Sequence, residues 1–370
     1  MAAKRKTVTK PMLLADFARL PPVARGTVTA GLAAAIDTVA ERSAPSHAFL
    51  RYGWFAAALN AYGGEARTVL VEEDGEPTLA LPLVNAGPRL LRMAAVPGSY
   101  WPFRSFPLAA DAGEATLKTA LATLAATVNV LRIGPVYDDD AAAGPLIAAA
   151  RANGWAVLDR FIADSWLLDM AALQTEGTWP RGSTLRKNRF HEKHLASHGV
   201  PEWRFLSGAD WPAAFDDLAG VEEASWISAR TDGSDAKFTT TGHGAFWRAA
   251  AADPVVARML RAAMLTIDGK PAAFSFDLDA GDLKYAIANS YDPAFAKHSP
   301  GKLLYYRNLV EGLARGIGRV DWGAGDSGYK QVIGADKGPA IRDWLLVRPG
   351  LPAVVGRLAS GLWRRSGQAH

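Results

Sequence analysis

The chain has 370 residues, 49% of them hydrophobic and 21% charged, with no cysteine and a formal charge of +4. This length suits about two domains, and the composition suits filled cores rather than disorder. The lack of cysteine excludes disulfides, thiolate metal sites and a cysteine nucleophile and fits a reducing compartment, while the mild positive charge admits a coenzyme, a lipid surface or a nucleic acid and selects none of them.

In chain order, MAAKRKTVTKPMLLADFARL is basic, but its apolar run is short and broken by Asp16 and Arg19, which argues against a signal peptide. Helices are predicted over Thr29–Ala40, Phe49–Tyr62, Gly113–Thr127 and Asp140–Asn153, with strands near 67–73, 78–84, 90–95, 129–134, 155–160 and 164–169. The richest apolar stretch, Ala120–Leu131, is interrupted by threonines and Asn129. No run of about 18 uncharged apolar residues predicts a membrane span.

The segment Arg181–His198 carries Arg181, Arg186, Lys187, Arg189 and Lys193, with Leu185, Phe190 and Leu195 as a thin apolar stripe. It reads either as a solvated connecting helix or as a basic helix gripping a phosphate-rich substrate such as tRNA. His191, His194 and His198 have a spacing that suits a metal, but only Glu192 joins them, so no metal is expected. Further helices are predicted over Asp210–Trp226, Gly242–Ala252 and Pro300–Arg315, and strands near 203–206, 257–267, 272–279, 283–290, 318–323 and 342–348. The tail from Leu351 mixes Val354, Val355, Leu358, Leu362 and Trp363 with Arg357, Arg364 and Arg365. It reads as a docked helix or as an amphipathic helix lying on a membrane surface.

Two parts of this pattern match. Asp74-Gly75 and Asp268-Gly269 each sit between apolar runs as hairpin turns. Trp54 stands 20 positions before Asp74, and Trp247 stands 21 before Asp268. The order suggests two copies of one α/β unit, over residues 28–170 and 200–349, joined by a basic helix over 181–199 and followed by a tail over 350–370.

Ser299-Pro300-Gly301-Lys302 opens the predicted helix at 300. Ser299 suits an N-cap and Pro300 the first turn, leaving Gly301, Lys302 and Leu303 as amide donors beside the Lys302 cation, which suits a phosphate. An ordinary capped helix start is the alternative reading. Leu303, Tyr306, Val310, Leu313 and Ile317 form the expected core stripe. No Gly-x-Ser-x-Gly elbow, Walker loop or dinucleotide fingerprint occurs.

The basic segment 185–195, Asp268-Gly269-Lys270-Pro271, SerTyrAspProAlaPheAlaLysHisSerProGly over 290–301, Gly318–Gly323, Gly325-Asp326 and Tyr329-Lys330 occur in one order. In this the second unit resembles the CelD-like branch of the GNAT acetyltransferase superfamily, which is associated with cellulose or exopolysaccharide biosynthesis. That branch is related to the FemAB-type transferases, which pair two GNAT-like domains. The resemblance implies an α/β (α+β) fold of two tandem GNAT-like units, each a mixed twisted sheet flanked by helices. It also implies a co-substrate acyl-CoA lying between parted central strands, its pyrophosphate at Ser299, Gly301, Lys302 and Leu303 and its amides near Asn289.

Acyl transfer to an amine needs a base and a proton for the leaving thiolate. Asp321 and Asp326 are the candidate bases, although Asp321 also suits a loop cap. Tyr329 follows the strand where GNAT enzymes place the tyrosine that protonates the thiolate, and it is equally readable as a packed aromatic. Tyr285, Ser290, Lys330 and Trp101 are candidates for acceptor contacts, with core packing the simpler reading of Trp101 and Trp322. The expected activity is acyl-CoA-dependent N-acyl transfer, most simply acetyl transfer, to an amine such as an amino sugar of a surface polysaccharide or precursor. The glycine-poor turn at 299–302 departs from the usual GNAT pattern and keeps two alternatives open. One is FemAB-like aminoacyl transfer from tRNA to a cell-wall precursor; the other is a non-catalytic binding module of a polysaccharide machine. The expected location is cytoplasmic, with a peripheral position at the inner face of the membrane as the variant the tail allows.

Overall fold

A computed structural model of the chain describes residues 23–98, 104–225, 236–239, 241–325 and 328–366. The strands are β1 (Ala24–Ala30), β2 (Ala66–Glu73), β3 (Glu76–Asn85), β4 (Met93–Ala95), β5 (Val130–Tyr137), β6 (Ala156–Asp169), β7 (Pro201–Ser207), β8 (Leu260–Ile267), β9 (Lys270–Ala280), β10 (Leu283–Tyr291), β11 (Arg319–Asp321) and β12 (Asp336–Val347). The helices are α1 (Ala35–Arg42), α2 (Tyr52–Tyr62), α3 (Glu114–Thr127), α4 (Ala143–Ala152), α5 (Met170–Thr175), α6 (Gly182–Leu195), α7 (Ala214–Ala224), α8 (His243–Ala250), α9 (Pro254–Met259), α10 (Pro300–Ala314), α11 (Tyr329–Val332) and α12 (Leu351–Arg365). This is the expected mixed α/β architecture, a large open sheet flanked by helices.

The sheet has 12 strands in the order β1-β2-β3-β4-β5-β12-β6-β11-β10-β9-β8-β7. Adding six to each label of the first half gives the second half, so the order reads the same from either edge. Only β4–β5 and β10–β11 are parallel among the described pairs. The last strand of each half sits in the other: β12 lies between β5 and β6, and β6 lies between β12 and β11. The half-sheets are therefore one continuous sheet joined by exchanged strands.

Local details repeat too. Asp74 and Gly75 have φ of 54° and 87°, and Asp268 and Gly269 have 48° and 75°, the double left-handed turn that Asp-Gly favours. The Asp74 carboxylate accepts the Val23 amide at 3.0 Å, and the Asp268 carboxylate accepts the Val200 amide at 2.8 Å. Each bond ties a hairpin to the residue before the first strand of its half. Trp54 on α2 packs edge-on against Phe246 (4.8 Å) and Trp247 (5.8 Å) on α8. The paired aromatic helices thus meet face to face in one shared core.

Some elements differ from expectation. Residues 29–30 end β1 rather than begin a helix, and α1 starts at Ala35. β1 is an edge strand, half exposed and weakly patterned, so its sequence carries little strand signal. The two strands expected near 155–169 are one, because β6 serves β12 first and then β11. Residues 254–259 form a helix capped by Asp253 before β8 begins. Of the expected stripe Leu303 and Ile317 are buried, Tyr306 and Leu313 half-buried and Val310 exposed, and the buried side of α10 also takes in Leu304, Tyr305, Asn308, Leu309 and Gly312. The buried Asn308, which donates to Asp277, hides that stripe from an apolar count.

Candidate functional site

β10 pairs with β11 only over Leu283–Tyr285 and Arg319–Asp321. β10 runs on to Tyr291 along β9, while Trp322 donates to Trp166 on β6. The two parallel strands therefore part beyond Tyr285 and Asp321. Side chains alternate across a sheet, so Asp321 and Trp322 serve opposite faces.

On the α10 face a cavity of about 220 Å³ is lined by Arg181, Lys187, His191, Ser299, Lys302 and Trp322, among others. α6 forms one wall. It is held beside α10 by the Glu192–Arg307 ion pair at 2.8 Å, with the Arg307 guanidinium over Trp203. The His191 imidazole is held below its usual range by partial burial and by Lys187, His194 and Lys302. Trp322 packs against Tyr305 with ring centroids 4.1 Å apart and planes tilted by 38°. The lining thus joins cations to flat apolar rings, a combination that accommodates phosphate beside an aliphatic arm. Phe190 on the expected α6 stripe is 60% exposed, so only Leu195 of that stripe is buried.

The helix start differs from the simple cap expected. Ser299 has φ 51° and ψ 50°, and its side chain makes no capping bond. Its amide instead closes the preceding turn on Ala296. The Lys302 and Leu303 amides both reach the Ser299 carbonyl. Gly301 is buried, and a Cβ there would lie 2.8 Å from Asn289 Oδ1. Its missing side chain makes room for Asn289, which donates to the Gly301 carbonyl at 3.4 Å. Any anion here is met mainly by side-chain cations.

On the other face, about 150 Å³ is lined by Asp321, Tyr285, Arg319 and Leu283 of the second half and by His47, Ser105, Tyr137, Asp139 and Asp140 of the first. The Tyr137 hydroxyl donates to Asp321, which also accepts the Gly323 amide at 2.6 Å. Burial pushes the Asp321 carboxyl up, against these two hydrogen bonds and the Lys330 charge. Burial and the Asp321 charge hold Tyr137 and Tyr285 well above the ordinary phenol range. Asp139 is also raised by burial. His47 Nε2 lies 3.2 Å from both Ser105 Oγ and Asp140 Oδ2, and Ser105 donates to Asp140 at 2.8 Å. Asp140 also caps α4 through the Ala142 and Ala143 amides, and His47 with these bonds draws its carboxyl down despite burial.

The remaining sequence candidates lie as follows. Lys330 donates to the Gly323 and Ala324 carbonyls at 3.0 Å, tying the glycine-rich loop. The Ser290 hydroxyl is buried without a partner among the described residues. Tyr329 begins α11. Asp326 and Trp101 lie outside the described residues. Among the described residues no cluster of three or more His, Asp or Glu side chains surrounds a metal position. Tyr137, Asp139, His47, Ser105 and Asp140 carried no signal in the sequence, because Tyr137 meets Asp321 from the other half of the chain and His47, Ser105 and Asp140 meet one another only across long separations.

Residues 182–331 match the acetyltransferase (GNAT) domain family. No curated protein matches the chain. Among solved structures, FemX aligns with a TM-score of 0.58 at 12% identity, covering 88% of this chain and 97% of FemX. A conserved protein of unknown function from Bacteroides thetaiotaomicron aligns at 0.53 and 12% identity, over 85% of this chain and 97% of its own. The C-terminal domain of a putative lysylphosphatidylglycerol synthetase from Agrobacterium fabrum aligns at 0.51 and 13% identity, over 90% and 96%. At these identities the likeness is one of fold, and it spans both halves.

Proposed function

We propose that this chain, with its GNAT-type fold and acetyltransferase domain match, is an acyl-CoA-dependent N-acyltransferase. The observation that carries the reading is the parted β10–β11 pair, with a basic, ring-lined cavity on one face and buried acidic and phenolic groups on the other. Arg181, Lys187 and Lys302 hold the coenzyme phosphates. The pantetheine arm enters the gap, and the thioester arrives beside Asp321. An acceptor amine then attacks the carbonyl carbon, the N–C bond forms and the C–S bond breaks. Asp321 accepts the amine proton. Tyr285, kept protonated by burial, supplies the proton to the thiolate; Tyr329 is the alternative donor. Asp139, Asp140 and Asp321 make the acceptor side favour a cationic amine, and an amino sugar of a surface polysaccharide, the CelD-like association, is the acceptor we favour.

A second reading rests on α6. Arg186, Arg189, Lys193 and Phe190 all stand in solvent, a basic face with an aromatic that suits a larger, nucleic-acid donor. Calorimetric titration with CoA, acetyl-CoA and aminoacyl-tRNA separates the two. We expect acetyl-CoA to bind, and a Lys187→Ala/Lys302→Ala double variant to bind it about tenfold or more weakly at unchanged Tm. Binding of tRNA alone, with no response to any CoA species, would favour the second reading and remove the first.

A further inference from the structure

α12 is built inside out. Its inner side is made of small groups: Ala353 is buried, and Gly356 sits so close to Val347 that a Cβ would be 3.1 Å from it. Trp363 lies under the Arg160 guanidinium at 4.1 Å. At about 100° per residue, Leu351, Val354, Val355, Leu358 and Leu362 share an arc about 100° wide on the opposite side. All five are solvent-exposed, Leu358 by 84% and Leu351 by 76%. A helix about 22 Å long therefore presents its aliphatic stripe to solvent.

The charge around the stripe is of one sign. Residues 351–366 contain Arg357, Arg364 and Arg365 and no acidic residue. Arg364 pairs with Asp159 at 3.3 Å, whereas Arg357 and Arg365 have no acidic partner among the described residues. A second element repeats the pattern at the same end of the sheet. The Arg348 amide bonds the Asn129 carbonyl, and the Asn129 amide bonds the Arg92 carbonyl, so the ends of β12, β5 and β4 lie side by side. The short helical turn Arg89–Leu91 stands just before Arg92, with Leu90 94% and Leu91 55% exposed between Arg89 and Arg92. It lies about two strand spacings, roughly 10 Å, from the approach to α12.

We infer that this end of the molecule docks on an anionic lipid bilayer, with α12 lying in the interface plane and Leu90–Leu91 as a second insertion point. A convex helix with aliphatic residues outward, Arg357 at its flank and Arg365 at the end of the stripe matches a bilayer surface better than a protein groove. No helix among the described residues is long and apolar enough to cross a membrane, so the contact is peripheral. The inference does not depend on the acyltransferase reading.

Sedimentation of the full chain with phosphatidylcholine vesicles, and with vesicles that also contain phosphatidylglycerol, tests it. The expected result is binding at least about tenfold tighter to the anionic vesicles, weakening as salt is added. Leu358→Asp with Leu362→Asp should abolish sedimentation. Arg357→Glu with Arg365→Glu should remove the anionic preference at unchanged Tm, and this variant keeps the test decisive if the first unfolds. Three results overturn the proposal: no sedimentation of the wild-type chain, sedimentation of both variants equal to that of wild type, or a concentration-dependent dimer that Leu358→Asp dissolves, which would mean that a second copy covers the face.

Discussion

Asp321 is the residue on which the proposed chemistry turns, and its surroundings make two measurable demands. Asp321→Asn should lower kcat of the proposed acyl transfer by about 100-fold or more with little change in KM, in keeping with loss of a general base. Because burial raises this carboxyl, the acid limb of kcat/KM should lie above the ordinary carboxylate value of about 3.9. The Tyr137 hydroxyl opposes that rise, so Tyr137→Phe should move the limb to still higher pH; a limb that stays put or moves down refutes the assignment. The same shift has a sign for stability. A raised folded-state value means that the protonated form favours the fold. The contribution is complete below about 3.9 and is lost as pH climbs through the raised value. Thermal melts of Asp321→Asn and wild type should therefore diverge in favour of the variant as pH rises through that window. Asp321 and Tyr285 were legible because each ends or lines a strand beside the glycine-rich loop. Tyr137 was not, since it meets Asp321 from 184 positions away and nothing local marks it.

Among elements, one buried carboxylate links the exchanged strand β12 to both of its neighbours. Asp343 on β12 is fully buried and receives Arg132 of β5 at 2.6 Å and Arg160 of β6 at 2.5 Å. Asp343→Ala leaves two facing guanidiniums without their anion and should cost about 3 kcal/mol in denaturant unfolding. A loss below about 1 kcal/mol would show that this buried carboxylate adds little to the backbone pairing and the outer Arg342 and Lys337 ion pairs. The hairpins, α2, α3, α7, α8 and the strands around them were readable because turn chemistry and burial periodicity agree there. β1 was missed because ARGTVTA carries only one large apolar residue, Val28, whereas the other edge strand, β7, was readable from Trp203, Phe205 and Leu206. The α10 stripe was read too narrowly, missing Leu304, Tyr305 and Leu309, because a buried amide, Asn308, serves Asp277 inside that apolar face.

For the molecule as a whole, duplication could be read from spacing, but strand exchange could not. Periodicity reports how deeply a strand is buried and says nothing about which half supplies its neighbour. Separate expression of residues 1–198 and 199–370 should accordingly give two aggregating fragments that yield a soluble particle only when made together. A first fragment that is monomeric and unfolds cooperatively by itself would contradict the exchanged arrangement. The same feature bears on biosynthesis. Ribosomes deliver the amino end first, so β5 and β6 emerge with a vacancy between them that waits for β12, the last of the described strands. The nascent first half is thus a sticky intermediate for roughly half of the chain's synthesis, and added chaperone capacity during translation should raise the soluble yield.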